Sequence, residues 1–202
     1  MFAGTNEAFS EIWWFYCPSG STTASRYVIY NYAQNIWYYG NISRTAWIDS
    51  GIRDFPLAAT YNNNIVNHED GIDDNETGTN AGISSFITSA QFDLDDGHKF
   101  AFIQKVYPDV TFDGSTAESP TATLSLFAAQ NSGSGRNSPA SEGGTNTGSI
   151  TRTATAPIEA FTSRLDLRVR GRQLALKIES SEAGVKWQLG SPRLEMRPDG
   201  RR

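Results

Sequence analysis

Cysteine is almost missing from this chain. Cys17 stands alone among 202 residues, so no disulfide can close within it and no cysteine-based metal cluster can form. Histidine is nearly as scarce: His68 and His98 are the only two, and neither falls in an HExxH-type spacing. Long apolar runs are absent. No stretch approaches the ~20 residues of a membrane span, so no stable membrane insertion is expected. The opening "MFAGTNEAFSEIWWFY" has neither the basic start nor the apolar centre of a signal peptide. There is no GxSxG elbow, no phosphate-binding loop and no dinucleotide fingerprint. The chain therefore reads as a non-enzyme, and neither cofactor nor metal is called for.

What is present is aromatic and turn-rich. Aromatic residues make up 12% of the chain and charged ones only 19%, with Gly, Ser, Thr and Asn abundant, a balance that favours strands over helices. The net charge of −5 hides an asymmetry. Residues 1–150 carry 6 Lys+Arg against 16 Asp+Glu, a net −10; residues 151–202 carry 11 against 6, a net +5. Such a split fits a basic binding end, or two surfaces that meet copies or partners of opposite sign.

Four aromatic or β-branched pieces, "EIWWFYC" (11–17), "RYVIYNY" (26–32), "IWYYG" (36–40) and "RTAWID" (44–49), are separated by turn residues. They predict a β-meander of the kind that forms one propeller blade. Because the chain enters it almost at once, residues 1–69 read as part of a larger β unit, with a truncated chain or split reading frame as the expected reason. "LAATY" and "NIVNHE" add a hairpin turning at Asn62–Asn63. Residues 70–82 read as an acidic linker loop. Residues 83–202 read as a β-sandwich-like domain, with a long flexible loop at 130–149. The fold class is thus all-β: a propeller-blade-like meander followed by antiparallel sandwich-like sheets.

Within the second part, "SFITSAQFDL" places Phe86, Thr88, Ala90, Phe92 and Leu94 on one face, and "DDG" (95–97) turns the chain. "KFAFIQKVYPDVTF" places Phe100, Phe102 and Val106 together. "RLDLRV" and "LALKIE" carry apolar residues of opposite parity. A four-residue hairpin loop at 170–173 resolves the conflict. It sets Val169, Leu167 and Leu165 opposite Leu174, Leu176 and Ile178, and sets Asp166 opposite Lys177 and Arg164 opposite Glu179.

Three groups of residues are candidate sites. Arg168, Arg170 and Arg172 read first as an interface with a neighbouring subunit and second as a phosphate contact. Against the phosphate reading stand the offset of Arg164 by Glu179 and the lack of interleaved aromatics. Glu69, Asp70, Asp73, Asp74 and Glu76 form an acidic loop; a cation held by Asp70, Asp73 and Asp74 is the alternative to plain solvation. Trp13, Trp14, Trp37 and Tyr39 either fill both faces of a sheet or offer a stacking surface for sugars.

The phrases "EIWWFYCPSGS…RYVIYNYAQNIWYYGNISRTAWIDSGI", "HEDGIDD", "FDLDDGHKFAFIQKVYPDVTFDGS" and "RVRGRQLALKIESSEAGVKWQLGSPRLEMRPDGRR" together cover most of the chain. They resemble the C-terminal part of the tail tubular, or nozzle, proteins of short-tailed bacteriophages, also called packaged-DNA stabilisation proteins. The resemblance implies propeller-like and sandwich-like domains. It implies a homo-oligomeric ring, a hexamer, below the portal, touching tail adaptor or portal-side proteins and tail fibres or spikes. Double-stranded DNA would pass through it without sequence-specific binding. The place implied is the virion tail, assembled in the bacterial host cytoplasm. An acidic lumen wall, with the loop 68–76 as its candidate, would repel phosphate and let the duplex slide. The alternative is a carbohydrate- or receptor-binding β module of a phage tail.

Overall fold

The computed structural model describes residues 1–51, 53–94, 97–130 and 150–200. Apart from Gln130, the long loop read at 130–149 lies outside these residues, as do Asp95 and Asp96 of the "DDG" turn. The chain is nearly all β, and every strand pairing is antiparallel. It divides into two compact units: Met1–Gly71 with Glu76–Gly78, and Ile72–Asn75 with Thr79–Arg202.

The first unit holds two meanders. Strands β1 (Phe2–Asn6), β2 (Glu11–Tyr16), β3 (Arg26–Asn31) and β4 (Ile36–Asn41) form one four-stranded sheet in chain order; β5 (Ala46–Ile48), β6 (Leu57–Ala59) and β7 (Ile65–Asn67) form a second. The blade-like meander is present, but its membership differs from the sequence reading. "RTAWID" opens the second sheet, and "FAGTN" supplies the missing edge strand, pairing Gly4 with Trp13 and Asn6 with Glu11. The β6–β7 hairpin turns through Asn63 at φ +61°, a conformation Asn tolerates well. The two meanders do not close into a propeller.

Alternation decides the faces. Phe2, Trp13, Phe15, Tyr27 and Ile29 point to one side of the four-stranded sheet, where Phe15 is wholly buried. Trp47 of β5 joins them there: its ring stacks on Trp13 at 5.1 Å, and its Nε1 donates to the Thr5 carbonyl at 2.8 Å.

The second unit is a two-layer sandwich. It begins with a short pairing of β8 (Asp73–Asp74) and β9 (Ala81–Gly82), so the segment read as a linker loop is itself a small ladder. One layer contains β10 (Ser85–Thr88), β11 (Phe92–Asp93), β14 (Thr121–Ala129), β15 (Ile150–Glu159) and β17 (Gln173–Ser180), in the order β10-β17-β14-β15, with β11 also on β17. The other contains β12 (Ala101–Tyr107), β16 (Leu165–Gly171) and β19 (Arg193–Pro198), with β12 in the middle. A small ladder joins β13 (Val110–Thr111) to β18 (Gln188–Leu189). Between the layers lie Ile103, Val106, Leu167 and Val169 from one side and Leu124, Leu126, Leu174, Leu176 and Ile178 from the other. Fully burying each such side chain contributes about 1.5–3 kcal/mol.

Three expectations change here. β16 and β17 do not pair. β16 pairs with β12, and β17 lies between β10 and β14. The chain arches from one layer to the other through Arg172, whose N–H donates to the Ala129 carbonyl at 2.8 Å. Asp166 therefore stands opposite Lys105, and Lys177 opposite Ser125 and Thr88, so the Asp166–Lys177 and Arg164–Glu179 pairs do not exist. Opposite parity is satisfied equally by a hairpin in one sheet and by an arch between two, since both turn the apolar residues inward. Burial of nonpolar surface on both layers selects the arch.

The other two changes concern phenylalanines. "SFITSAQFDL" is broken after Thr88, where Ser89 bonds back to Leu176 through both its amide and its hydroxyl. Phe86 consequently points out and only Phe92 and Leu94 reach the core. In β12 an irregularity between Ile103 and Lys105 shifts the alternation, so Ile103 and Val106 both face inward and Phe102 faces out.

Candidate functional site

The four aromatics read as one surface fall on two faces. Trp13 is in the core. Trp14, Trp37 and Tyr39 share the opposite face with Tyr30: Trp14 and Tyr39 both pair with Val28 and Trp37 pairs with Tyr30, and along β3 Val28 and Tyr30 alternate with the inward Tyr27 and Ile29. Trp37 stacks on Trp14 at 5.9 Å with planes 25° apart and lies 4.6 Å from Tyr30. Trp37 and Tyr39 are 61% and 51% exposed, so this sheet is apolar on both faces and covered on one.

The five acids of the 69–76 segment take separate roles. Asp73 and Asp74 belong to the second unit, where Asp73 accepts the Gly184 amide at 2.6 Å. Asp70 accepts from Asn67 at 3.2 Å. Glu76 pairs with Arg44 at 3.0 Å and accepts from Asn62 at 2.9 Å. Arg44 is 5% exposed, and its Nε donates to His68 Nε2 at 2.8 Å, which puts the His68 proton on Nδ1. Among the described residues no group of three or more His, Cys, Asp or Glu is placed to hold a metal ion.

Glu69 is set apart by its backbone, at φ +62°, which turns its carboxyl back toward the fully buried Asn6. Burial pushes the Glu69 carboxyl above the usual carboxylate range, and the negative charge of Glu11 pushes it further. Glu11 is raised by burial too, with the Trp13 indole N–H, 3.0 Å away, opposing. The Tyr27 phenol is raised by burial, then by Glu11 and Glu69. Sequence reasoning missed this group. Glu11 lies nearly sixty residues from Glu69, and the only local signal was an acid at the start of an aromatic strand.

The arginines occupy the smaller layer of the sandwich. Arg168 and Arg170 point outward from β16, and Arg172 forms the arch. Arg170 binds Asp199 through Nε at 2.6 Å and the Asp199 carbonyl through Nη2 at 2.9 Å. Its guanidinium sits 4.0 Å above the Phe100 ring, and that of Arg172 is 5.0 Å from the same ring.

Two open hollows have volumes of about 290 Å³ at Arg53, Asp54, Phe55 and Asn67, and about 220 Å³ between Ser84, Thr121–Thr123 and residues 179–182. Neither is lined by histidine, cysteine or lysine. Among the described residues no helix is long and apolar enough to cross a membrane. No protein-family model matches the chain, and no curated protein matches its sequence.

Proposed function

We propose that the chain is a non-enzymatic structural protein of a short phage tail, part of a nozzle or tube ring that retains DNA in the virion and conducts it at ejection. The observation that carries this reading is the four-stranded sheet with two apolar faces. Its inner face is filled from within the unit, while the outer one presents Trp14, Tyr30, Trp37 and Tyr39. An exposed aromatic face of this extent marks a surface that meets another protein layer. The resemblance to nozzle proteins supplies the kind of assembly. Coexpression with portal, adaptor and fibre proteins, followed by cryo-electron microscopy, is expected to show the chain in a ring. A monomer that enters no tail particle would overturn the reading.

A second reading, a carbohydrate- or receptor-binding module, draws on the same face, because the Trp14, Trp37 and Tyr30 rings are stacked side by side. Glycan-array binding that disappears in Trp37→Ala, with the fold retained, would favour it over the structural role.

A further inference from the structure

The three-stranded layer of the sandwich carries an organised charge pattern on its outer face. Register sets Arg170 and Arg197 on either side of Phe102, then Asp166 and Glu195 on either side of Lys105, then Arg193 beside Tyr107. Arg168 points out from β16 between the first two rows. Five of the seven charged residues that these strands turn outward are basic. The outer face of the other layer differs: β14 contributes Thr121, Thr123, Ser125 and Phe127, and Lys177 of β17 is paired with Glu179 at 2.6 Å. Positive charge is thus concentrated on one side of the sandwich.

Of the two objections to a phosphate contact, the lack of aromatics falls away in this geometry, while the offset of Arg164 passes from Glu179, which belongs to the other layer, to Asp166 at 3.1 Å, leaving Arg168 and Arg193 untouched. Aromatic rings do interleave, supplied by β12 and the residue before it. Arg170 lies over Phe100 and Arg197 lies 5.0 Å over Phe102. A guanidinium held flat on a ring keeps its edge N–H groups directed outward, in the planar fork that suits a phosphate, as for Arg197; Arg170 adds its charge to the face while its Nε and Nη2 are engaged by Asp199. The rings themselves are covered by the guanidinium groups, so they are not platforms for bases.

We infer that the outer face of β16, β12 and β19 is a docking surface for the phosphate backbone of duplex DNA, bound without regard to sequence. Charge complementarity carries the proposal. The tail reading supports it only in identifying the polyanion as duplex DNA. Arg168 and Arg170, two residues apart on one strand, are spaced by about 6.8 Å, comparable to the separation of successive phosphates. Arg168 and Arg193 are exposed and enter no ion pair among the described residues, so both are available to an incoming phosphate.

The test is fluorescence anisotropy of a short labelled duplex with the purified full chain at about 50 mM and about 200 mM salt. Binding is expected to weaken steeply with salt. Arg168→Gln/Arg193→Gln is expected to lose about tenfold in affinity or more and to lower the log–log salt slope by about 2, with an unchanged circular dichroism spectrum. Glu195→Gln, which removes an acid from the same face, is expected to bind more tightly. Absence of binding at the lower salt would overturn the proposal, as would a double variant with unaltered affinity and slope. Tighter binding of single strands, lost in Phe102→Ala, would replace it with base stacking. Retention on poly-glutamate without binding to the duplex would replace it with an acidic protein partner. A chain that binds duplex but enters no tail particle supports this surface and refutes the tail reading; one that assembles yet ignores DNA does the reverse.

Discussion

The indole of Trp47 occupies the volume that a side chain at Gly4 would need: a Cβ built there overlaps the five-membered ring. Gly4 stands opposite Trp13 across the β1–β2 ladder, and Trp47 stacks on that same Trp13. The bare backbone at position 4 is what lets β5 lay its tryptophan against the first sheet. Gly4→Ala is therefore expected to destabilise the first unit by about 1–3 kcal/mol. Urea unfolding followed by tryptophan fluorescence measures this, and an unchanged midpoint would show that Trp47 can move away at no cost.

Arg44 is the most buried cation among the described residues, held by Glu76, His68 and the Ser43 carbonyl. Removing Glu76 leaves its charge uncompensated. Glu76→Ala is expected to cost about 3–5 kcal/mol. Arg44→Lys should not restore the stability lost in Arg44→Ala, because a point charge cannot reach three acceptors set around a planar fork. Thermal unfolding of the three variants distinguishes these outcomes.

Glu11 and Glu69 give the first unit a pH dependence of definite sign. Both carboxyls have folded-state pKa values above their unfolded ones. Between the two values the folded chain holds more protons than the unfolded chain, so stability rises as pH falls through that window. The penalty is fully present above the raised values. Asp49 acts oppositely: burial pushes it up, but bonds from Thr5, Ser50 and Glu7 more than offset this and hold it low. Its contribution is lost only on further acidification. Melting temperature is expected to climb as the pH falls from neutral toward the ordinary carboxyl range, and then to fall on further acidification. Glu69→Gln should raise it at neutral pH and flatten the climb.

Gly171 sits where the chain leaves the β12 layer. A Cβ there would lie 2.8 Å from the Ala128 Cβ and 3.1 Å from the Ala129 carbonyl. Gly171→Val is expected to destabilise the second unit by about 1–3 kcal/mol or more while leaving the first unit's transition in place. A single shift of both transitions would contradict this.

The strands were largely legible because alternation and turn residues are local. In "ATLSLFAA" the alternating Ala122, Leu124, Leu126 and Ala128 turn inward, and in "VKWQL" Val185, Trp187 and Leu189 pack against the same core, as their spacing requires. Trp13 and Trp14 could have been separated by the same rule, since adjacent residues on a strand face opposite ways. β1 was not legible, because "FAGTN" has no apolar alternation and is a strand only through its pairing with β2. Nor was partner choice. Parity places Leu167 and Leu176 inward without naming the sheet each joins, and contacts such as Asp73 to Gly184 span more than a hundred residues. The arginine surface was hidden for the same reason: its rings arrive from β12, some sixty residues upstream.

The arch at Arg172 also fixes how force travels through the sandwich. β16 and β17 belong to opposite layers, so neither layer can slide or peel away there without pulling on a connection one residue long. A load applied to Arg168 or Arg170 on the outer surface passes along β16 directly to Leu167 and Val169, and through the arch to Leu174 at the centre of the other layer. Whatever grips the basic face therefore pulls on the whole second unit at once, and the two layers resist as one body.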